Sequence, residues 1–176
     1  MPGLEQGLVQ VYTGRGKGKT TAALGAVLRA WGQGLRVKVI FFLKGNDEVG
    51  ELKALAQLPG VSAQQFGSGG FIRANRLTEE DRRRAQEALH TAREATRSGQ
   101  YDLVVLDEVN LAVTWKLVAL EDVLSLIKEK PVQVELILTG RDADPQLVQA
   151  ADLVTEMLAI KHPFERGVPA RKGIEY

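Results

Sequence analysis

No cysteine occurs in the 176-residue chain. That excludes disulfides, thiolate metal sites, cysteine nucleophiles and cysteine-ligated iron–sulfur clusters. Only two histidines are present, His90 and His162, so a histidine-rich metal site is not expected. No apolar run approaches the roughly 20 residues that cross a bilayer, and the N-terminus lacks the basic-then-apolar order of a signal peptide. A cytoplasmic protein without a membrane partner is therefore expected. Charge of one sign is not in excess either: the formal net charge is +1. Composition thus gives no general pull toward nucleic acid or an acidic surface. What is present is ordinary for a soluble protein, 44% hydrophobic and 26% charged residues, in a length that buries the core of one domain. No repeat, linker or low-complexity stretch interrupts it, so 1–176 reads as a single domain.

Short β-branched runs alternate with helical patterns. "LVQVYT" (8–13) reads as a buried strand that leads into a glycine loop. In 19–33, Leu24, Val27, Leu28 and Trp31 recur at i, i+3, i+4 and i+7, one face of a helix, with Gly32 and Gly34 as a stop. "RVKVIFFL" (36–43) is apolar enough to be buried on both faces. A short helix (47–58), a weaker strand (61–66) and a glycine-rich loop (67–71) follow. A long helix starts near Thr78, where T-E-E-D resembles a capping box, and ends near Gly99. "YDLVVLDE" (101–108), a helix around Leu120, Val123, Leu124 and Ile127, "VQVELILTG" (132–140) and "DLVTEM" (152–157) complete the pattern. Strands joined by helical crossovers imply an α/β fold with a mainly parallel central sheet and helices on both faces. The stretch from Met157 onward reads as irregular.

The chemistry starts at "TGRGKGKTT", Thr13 to Thr21. Strand, glycine loop, Lys-Thr-Thr and helix form the context of a phosphate loop. Glycines let backbone N–H groups converge on phosphate oxygens, and the helix N-terminus adds positive potential. The usual pattern, G-x-x-x-x-G-K-[ST], places a glycine where Thr13 stands; here the glycines are Gly14, Gly16 and Gly18. Lys19 is expected to contact phosphate, and the Thr20 hydroxyl to ligate a divalent cation. "LVVLDE" ends in Asp107-Glu108 at the carboxyl edge of a central strand, where ligands of parallel sheets collect. Asp107 would hold magnesium and Glu108 would orient a nucleophile or substrate. "ILTGR" (137–141) ends a third strand in Thr139-Gly140-Arg141. Arg141 is either a sensor or base-contacting residue or a plain solvated exit from the strand. "RRR" (82–84) interleaves with acids on a helix whose Ala85, Ala88, Leu89, Ala92 and Ala95 face inward, which makes it a solvated face and no nucleic-acid site. "GSGGFIRANR" (67–76) is either a mobile substrate loop or a simple connection.

Together these blocks resemble the P-loop class of ATP:corrinoid adenosyltransferases. The resemblance rests on "GRGKGKTTAALG" (14–25), "FFLKG" (41–45), "YDLVVLDE", "ILTGR" and the tail "KHPFERGVPARKGIEY" (161–176), which together span nearly the whole chain. It implies a three-layer P-loop NTPase (RecA-like) fold and a loop that holds ATP for a different reaction. Co(I) of a corrinoid attacks the ribose C5′ carbon, and the whole triphosphate leaves. Carried over by position, Gly14, Arg15, Gly16, Lys17, Gly18, Lys19, Thr20 and Thr21 would wrap the triphosphate. Thr20 and Asp107 would support Mg²⁺ (or Mn²⁺), Glu108 would face nucleotide or metal, and Arg141 would help bind the nucleotide. The corrinoid, whether cobalamin, cobinamide or cobyrinic acid a,c-diamide, would be covered from below by Phe71, while Arg73 stands where some members carry a tryptophan. Electrons would come from outside, from a reduced flavoprotein, and the family suggests a homodimer. A RecA-like ATPase or small-molecule kinase is the alternative, and it would release orthophosphate or ADP. A non-enzymatic nucleotide sensor is a third reading.

Overall fold

The computed structural model describes residues 3–45, 49–68 and 74–175. Phe71 and Arg73 lie outside the described residues. Six strands, β1 (Val9–Thr13), β2 (Val37–Phe41), β3 (Val61–Gln65), β4 (Leu103–Asp107), β5 (Glu135–Thr139) and β6 (Leu153–Glu156), form one sheet in the order β3-β2-β4-β5-β1-β6. Every pairing is parallel. Six helices connect them: α1 (Lys19–Gly32), α2 (Gly50–Leu55), α3 (Glu79–Arg97), α4 (Val109–Thr114), α5 (Leu120–Glu129) and α6 (Pro145–Ala150).

Strand alternation splits the apolar residues into two clusters, one per face. Val9, Val11, Ile40, Val104, Leu106, Leu136 and Leu138 pack against α3, α4, α5 and α6. Val37, Val39, Phe41, Leu103, Val105 and Ile137 pack against α1 and α2. The result is the three-layer α/β arrangement that the strand–helix alternation implies, with β2, β4 and β5 buried on both sides. Ile137 is fully buried, and truncating it to alanine would cost about 2–5 kcal/mol.

Three local expectations are corrected. Only half of the expected stripe on α1 faces the core: Val27 is fully buried and Leu24 packs at the margin, while Leu28 is 54% exposed, Trp31 donates its ring N–H to the Pro59 carbonyl at 3.0 Å, and Ala23 is fully buried instead. Small side chains let the helix lie close on the sheet. Helix α2 ends at Leu55 rather than near 58, and residues 47 and 48 of the expected helix lie outside the described residues. Helices α4 and α6 were not anticipated, since six residues carry less than two turns of periodicity. Helix α6 has a local signature nonetheless: the Asp144 side chain accepts from the Gln146 N–H, and Pro145 opens the helix.

The long helix keeps its expected terms. Thr78 and Asp81 exchange side-chain-to-backbone hydrogen bonds in a capping box, and Ala85, Ala88, Leu89, Ala92 and Ala95 are all buried. Arg83 and Arg84 pair with Glu80 on the exposed face, and His90 is exposed beside Glu94. β6 is an edge strand with every residue exposed. The tail beyond it is irregular apart from a 3-10 turn at Pro163–Arg166.

Candidate functional site

The strand order brings the carboxyl ends of β1 and β4 to either side of β5, so the glycine loop and the acidic pair share one edge of the sheet. The loop is shaped from outside by the chain beyond β6. The Met157 N–H donates to the Thr13 carbonyl at 2.9 Å, and the Gly16 N–H donates to the Met157 carbonyl at 2.7 Å. A Cβ on Gly16 would stand 2.7 Å from that carbonyl oxygen, and one on Gly14, whose φ is +92°, would stand 2.5 Å from it. Close approach therefore requires glycine at both positions. Gly16 gives the loop room rather than a free donor, because its own N–H is committed. Thr13, which replaces the usual glycine, accepts from the Ala143 N–H through its hydroxyl at 3.1 Å and ties the loop to the β5–α6 turn.

Lys19 is 7% exposed and folds back into the loop, donating to the carbonyls of Gly14 and Gly16 at 2.8 Å each. Burial lowers its pKa, with Glu108 pulling the other way. Lys17 instead reaches the C-terminal tail, where it donates to the Ile174 carbonyl at 3.0 Å and the Glu175 carboxylate at 2.9 Å. Hydrogen bonds from Arg171 and from Lys17 pull the Glu175 pKa down to about 2. Arg15 lies 3.8 Å from Asp142, with both side chains largely exposed, a pairing that contributes little.

The opposite wall is buried. Asp107 is 1% exposed at the end of β4. Its Oδ1 accepts from the Thr20 hydroxyl at 2.8 Å and from the Thr139 hydroxyl at 2.7 Å. Its Oδ2 lies 3.0 Å from the Lys44 ammonium but accepts no hydrogen bond of good geometry, so that contact is an ion pair only. Burial pulls the Lys44 pKa down, but attraction to Asp107 outweighs it and the net shift is upward. Thr139 also accepts the Glu108 N–H at 3.0 Å, linking both acids through one hydroxyl. Glu108 sits at φ +64° and ψ +18°, a left-handed conformation rare outside glycine, which stores roughly 1–3 kcal/mol. Burial first and the Asp107 charge second raise its pKa, and its Oε2 is buried without a hydrogen bond. Behind it, fully buried Asn110 donates to the Gly140 carbonyl at 3.3 Å. Gly140, at φ +137°, leaves only 2.9 Å between a would-be Cβ and the Asn110 side chain.

A divalent cation fits this wall on its donor chemistry. Thr20 and Asp107 supply hard oxygens in contact with one another, and Asp107 Oδ2 and Glu108 Oε2 lack hydrogen bonds. Yet no group of three or more His, Cys, Asp or Glu that could hold a metal occurs among the described residues. A small hard ion demands about six oxygens. The remainder would have to come from phosphate and water, the arrangement of a metal carried in on a nucleotide.

Gly14, Gly16, Gly18, Lys19, Thr20, Asp107 and Glu108 therefore converge. Thr21 is exposed on the first turn of α1, and Arg15, Lys17 and Arg141 stand at the rim. Arg141 acts on the interior through charge, adding to the burial that lowers the Lys19 pKa and opposing the rise in that of Glu108. Sequence reasoning gave no role to Lys44, Thr139 or Asn110. A lone cation just after an apolar strand (Lys44) and a hydroxyl at the last position of another (Thr139) were the available signals; Asn110 had none. A separate cavity of about 890 Å³ lies between α3, the α4–α5 turn and the β5–α6 turn, away from the acidic pair, and Asp142 lies on its wall.

The sequence profile of the family ATP:corrinoid adenosyltransferase BtuR/CobO/CobP matches residues 5–176. The corrinoid adenosyltransferase of Pseudomonas aeruginosa is 36% identical over 98% of this chain and 85% of its own. That of Escherichia coli K12 is 37% identical over 98% and 87%. The corrinoid adenosyltransferase CobA of Salmonella typhimurium is 36% identical over 98% and 87%. Among solved structures, the flagellar accessory protein FlaH of Methanocaldococcus jannaschii superposes with a TM-score of 0.59 at 10% identity, covering 87% of this chain and 72% of its own. That likeness concerns the fold alone.

Proposed function

The chain belongs to the ATP:corrinoid adenosyltransferase family BtuR/CobO/CobP, and from that membership we propose that it transfers the 5′-deoxyadenosyl group of ATP to the Co(I) centre of a corrinoid. The Co(I) electron pair forms the bond to C5′, the C5′–O bond breaks, and triphosphate departs with the bonding electrons. Cobalt becomes formally Co(III). Co(I) is already a strong nucleophile, so the protein's task is to align C5′ and to stabilise charge on the leaving group. The observation that carries this reading is the buried Asp107–Thr20 couple facing a loop with three cations, Arg15, Lys17 and Lys19.

In this reading Lys19 leaves the carbonyls of Gly14 and Gly16 for the triphosphate, and Arg15, Lys17, Gly18 and Thr21 complete the cradle. Thr20 and Asp107 would hold Mg²⁺ (or Mn²⁺), which neutralises phosphate charge when bound. Glu108 faces the nucleotide, and Arg141 reaches it from the β5–α6 turn. Phe71, outside the described residues, covers the lower face of the corrinoid. A reduced flavoprotein supplies electrons, and the enzyme works as a cytoplasmic homodimer. No helix among the described residues is long and apolar enough to cross a membrane.

The test mixes protein, ATP, Mg²⁺ and chemically reduced cobalamin, and follows the corrinoid spectrum together with the phosphate product. Alkylated corrinoid with stoichiometric triphosphate is expected. Orthophosphate without alkylation would return the ATPase or kinase alternative.

A further inference from the structure

Lys44 stands between the Asp107–Thr20 couple and helix α2. Its ammonium lies 3.0 Å from Asp107 Oδ2, 3.5 Å from the Thr20 hydroxyl and 3.9 Å from Glu51 on α2. The first two are the groups assigned above to the metal. The Phe41 ring lies 5.1 Å below the ammonium and holds the charge over the end of β2. Asp107, at 1% exposure, would be an uncompensated buried charge without it.

We infer that Lys44 is a positioning residue that takes the metal's place against Asp107 in the nucleotide-free enzyme and moves onto the triphosphate when the metal–nucleotide complex arrives. This rests on the reading of Thr20 and Asp107 as the metal couple. A divalent ion beside Asp107 would sit within a few ångströms of the ammonium, and like charges at that distance repel strongly. The lysine must yield, and its flexible stem has one anchor ready on the far side, Glu51. The incoming polyanion offers a second and stronger one. The exchange keeps Asp107 neutralised throughout and adds a cation to the leaving group only when the metal is in place.

Lys44→Met and Lys44→Arg test it, each checked for folding by thermal melting. Without nucleotide, Mn²⁺ binding followed by electron paramagnetic resonance at pH 8 should be at least about fivefold tighter in Lys44→Met than in the wild type, because the competitor is gone. Lys44→Arg should restore the wild-type value. With Mg²⁺ present, inorganic triphosphate should bind Lys44→Met about tenfold more weakly. Equal or weaker Mn²⁺ binding by Lys44→Met overturns the placeholder role, and unchanged triphosphate affinity overturns the transfer. Should Lys44→Met not fold, Lys44→Gln keeps a polar partner for Asp107 and takes the same comparison. Neither readout needs corrinoid or turnover, so failure here is distinguishable from failure of adenosyl transfer itself.

Discussion

The glycine loop after β1 has two walls built on opposite principles. The inner wall, Asp107 with Thr20, Thr139 and Lys44, is buried and cross-linked by short bonds from three strand ends and a helix. The outer wall is the Met157–Leu158 backbone and the Lys17–Glu175 contact, supplied by an exposed edge strand and an irregular tail. Charge in the inner wall is desolvated and therefore strong; charge in the outer wall is open to water and screened. The inner wall is suited to polarise a ligand, whereas the outer wall fixes the path of the backbone.

Four substitutions probe that division. Lys19→Ala removes the buried cation and should lower adenosyl transfer by about 10²–10³-fold or more; retained turnover would undo the assignment of the loop. Gly16→Ala attacks the outer wall through shape. Its Cβ would meet Met157 and Leu158 backbone atoms at 2.7–2.8 Å, so a loss of about 1–3 kcal/mol is expected, with Tm falling roughly 2–4 °C for each. An unshifted Tm would mean that β6 yields freely.

Glu108→Gln should separate stability from activity. The folded-state pKa of Glu108 lies above its ordinary value, so its contribution to stability is present below the unfolded pKa and lost as pH rises through the folded one. The variant should therefore melt above the wild type at pH 8, the gap closing toward pH 4, while transfer falls. A gap that widens on acidification would contradict the burial of this carboxyl. Glu175→Gln should do least: an exposed ion pair is lost, so the KM for ATP should move by at most about fivefold. An effect as large as that of Lys19→Ala would erase the distinction between the walls.

Much of the inner wall was legible in the sequence. Asp107 and Thr20 carry signatures of spacing, a run of buried strand residues ending in an acid and a lysine–threonine pair opening a helix. Those signals work because they depend on local chain geometry. Lys44 and Thr139 carry no such local signature, since their importance comes from the order β2-β4-β5, which places three strand ends side by side. The outer wall was least legible. Nothing around Gly16 announces a hydrogen bond to a residue some 140 positions later, and the Lys17–Glu175 pairing is equally remote. The α1 seam was legible in part: Val27 and Leu24 pack as their spacing implies, while Leu28 is exposed and Ala23 is buried in spite of their sizes. The short helices α4 and α6 escaped because periodicity needs length.

The bond from the Gly16 N–H to the Met157 carbonyl continues, past the end of β1, the parallel ladder in which Thr13 and Glu156 are partners. In kinetic terms the middle of the loop belongs to the sheet. Its amide should exchange with deuterium on the slow schedule of a strand, opening only when β6 detaches, rather than on the fast schedule of a surface loop. A cradle with that lifetime is already in shape when a nucleotide arrives, and the rate of ATP capture is then set by diffusion and by the rearrangement of lysine side chains, not by the folding of the loop around its ligand.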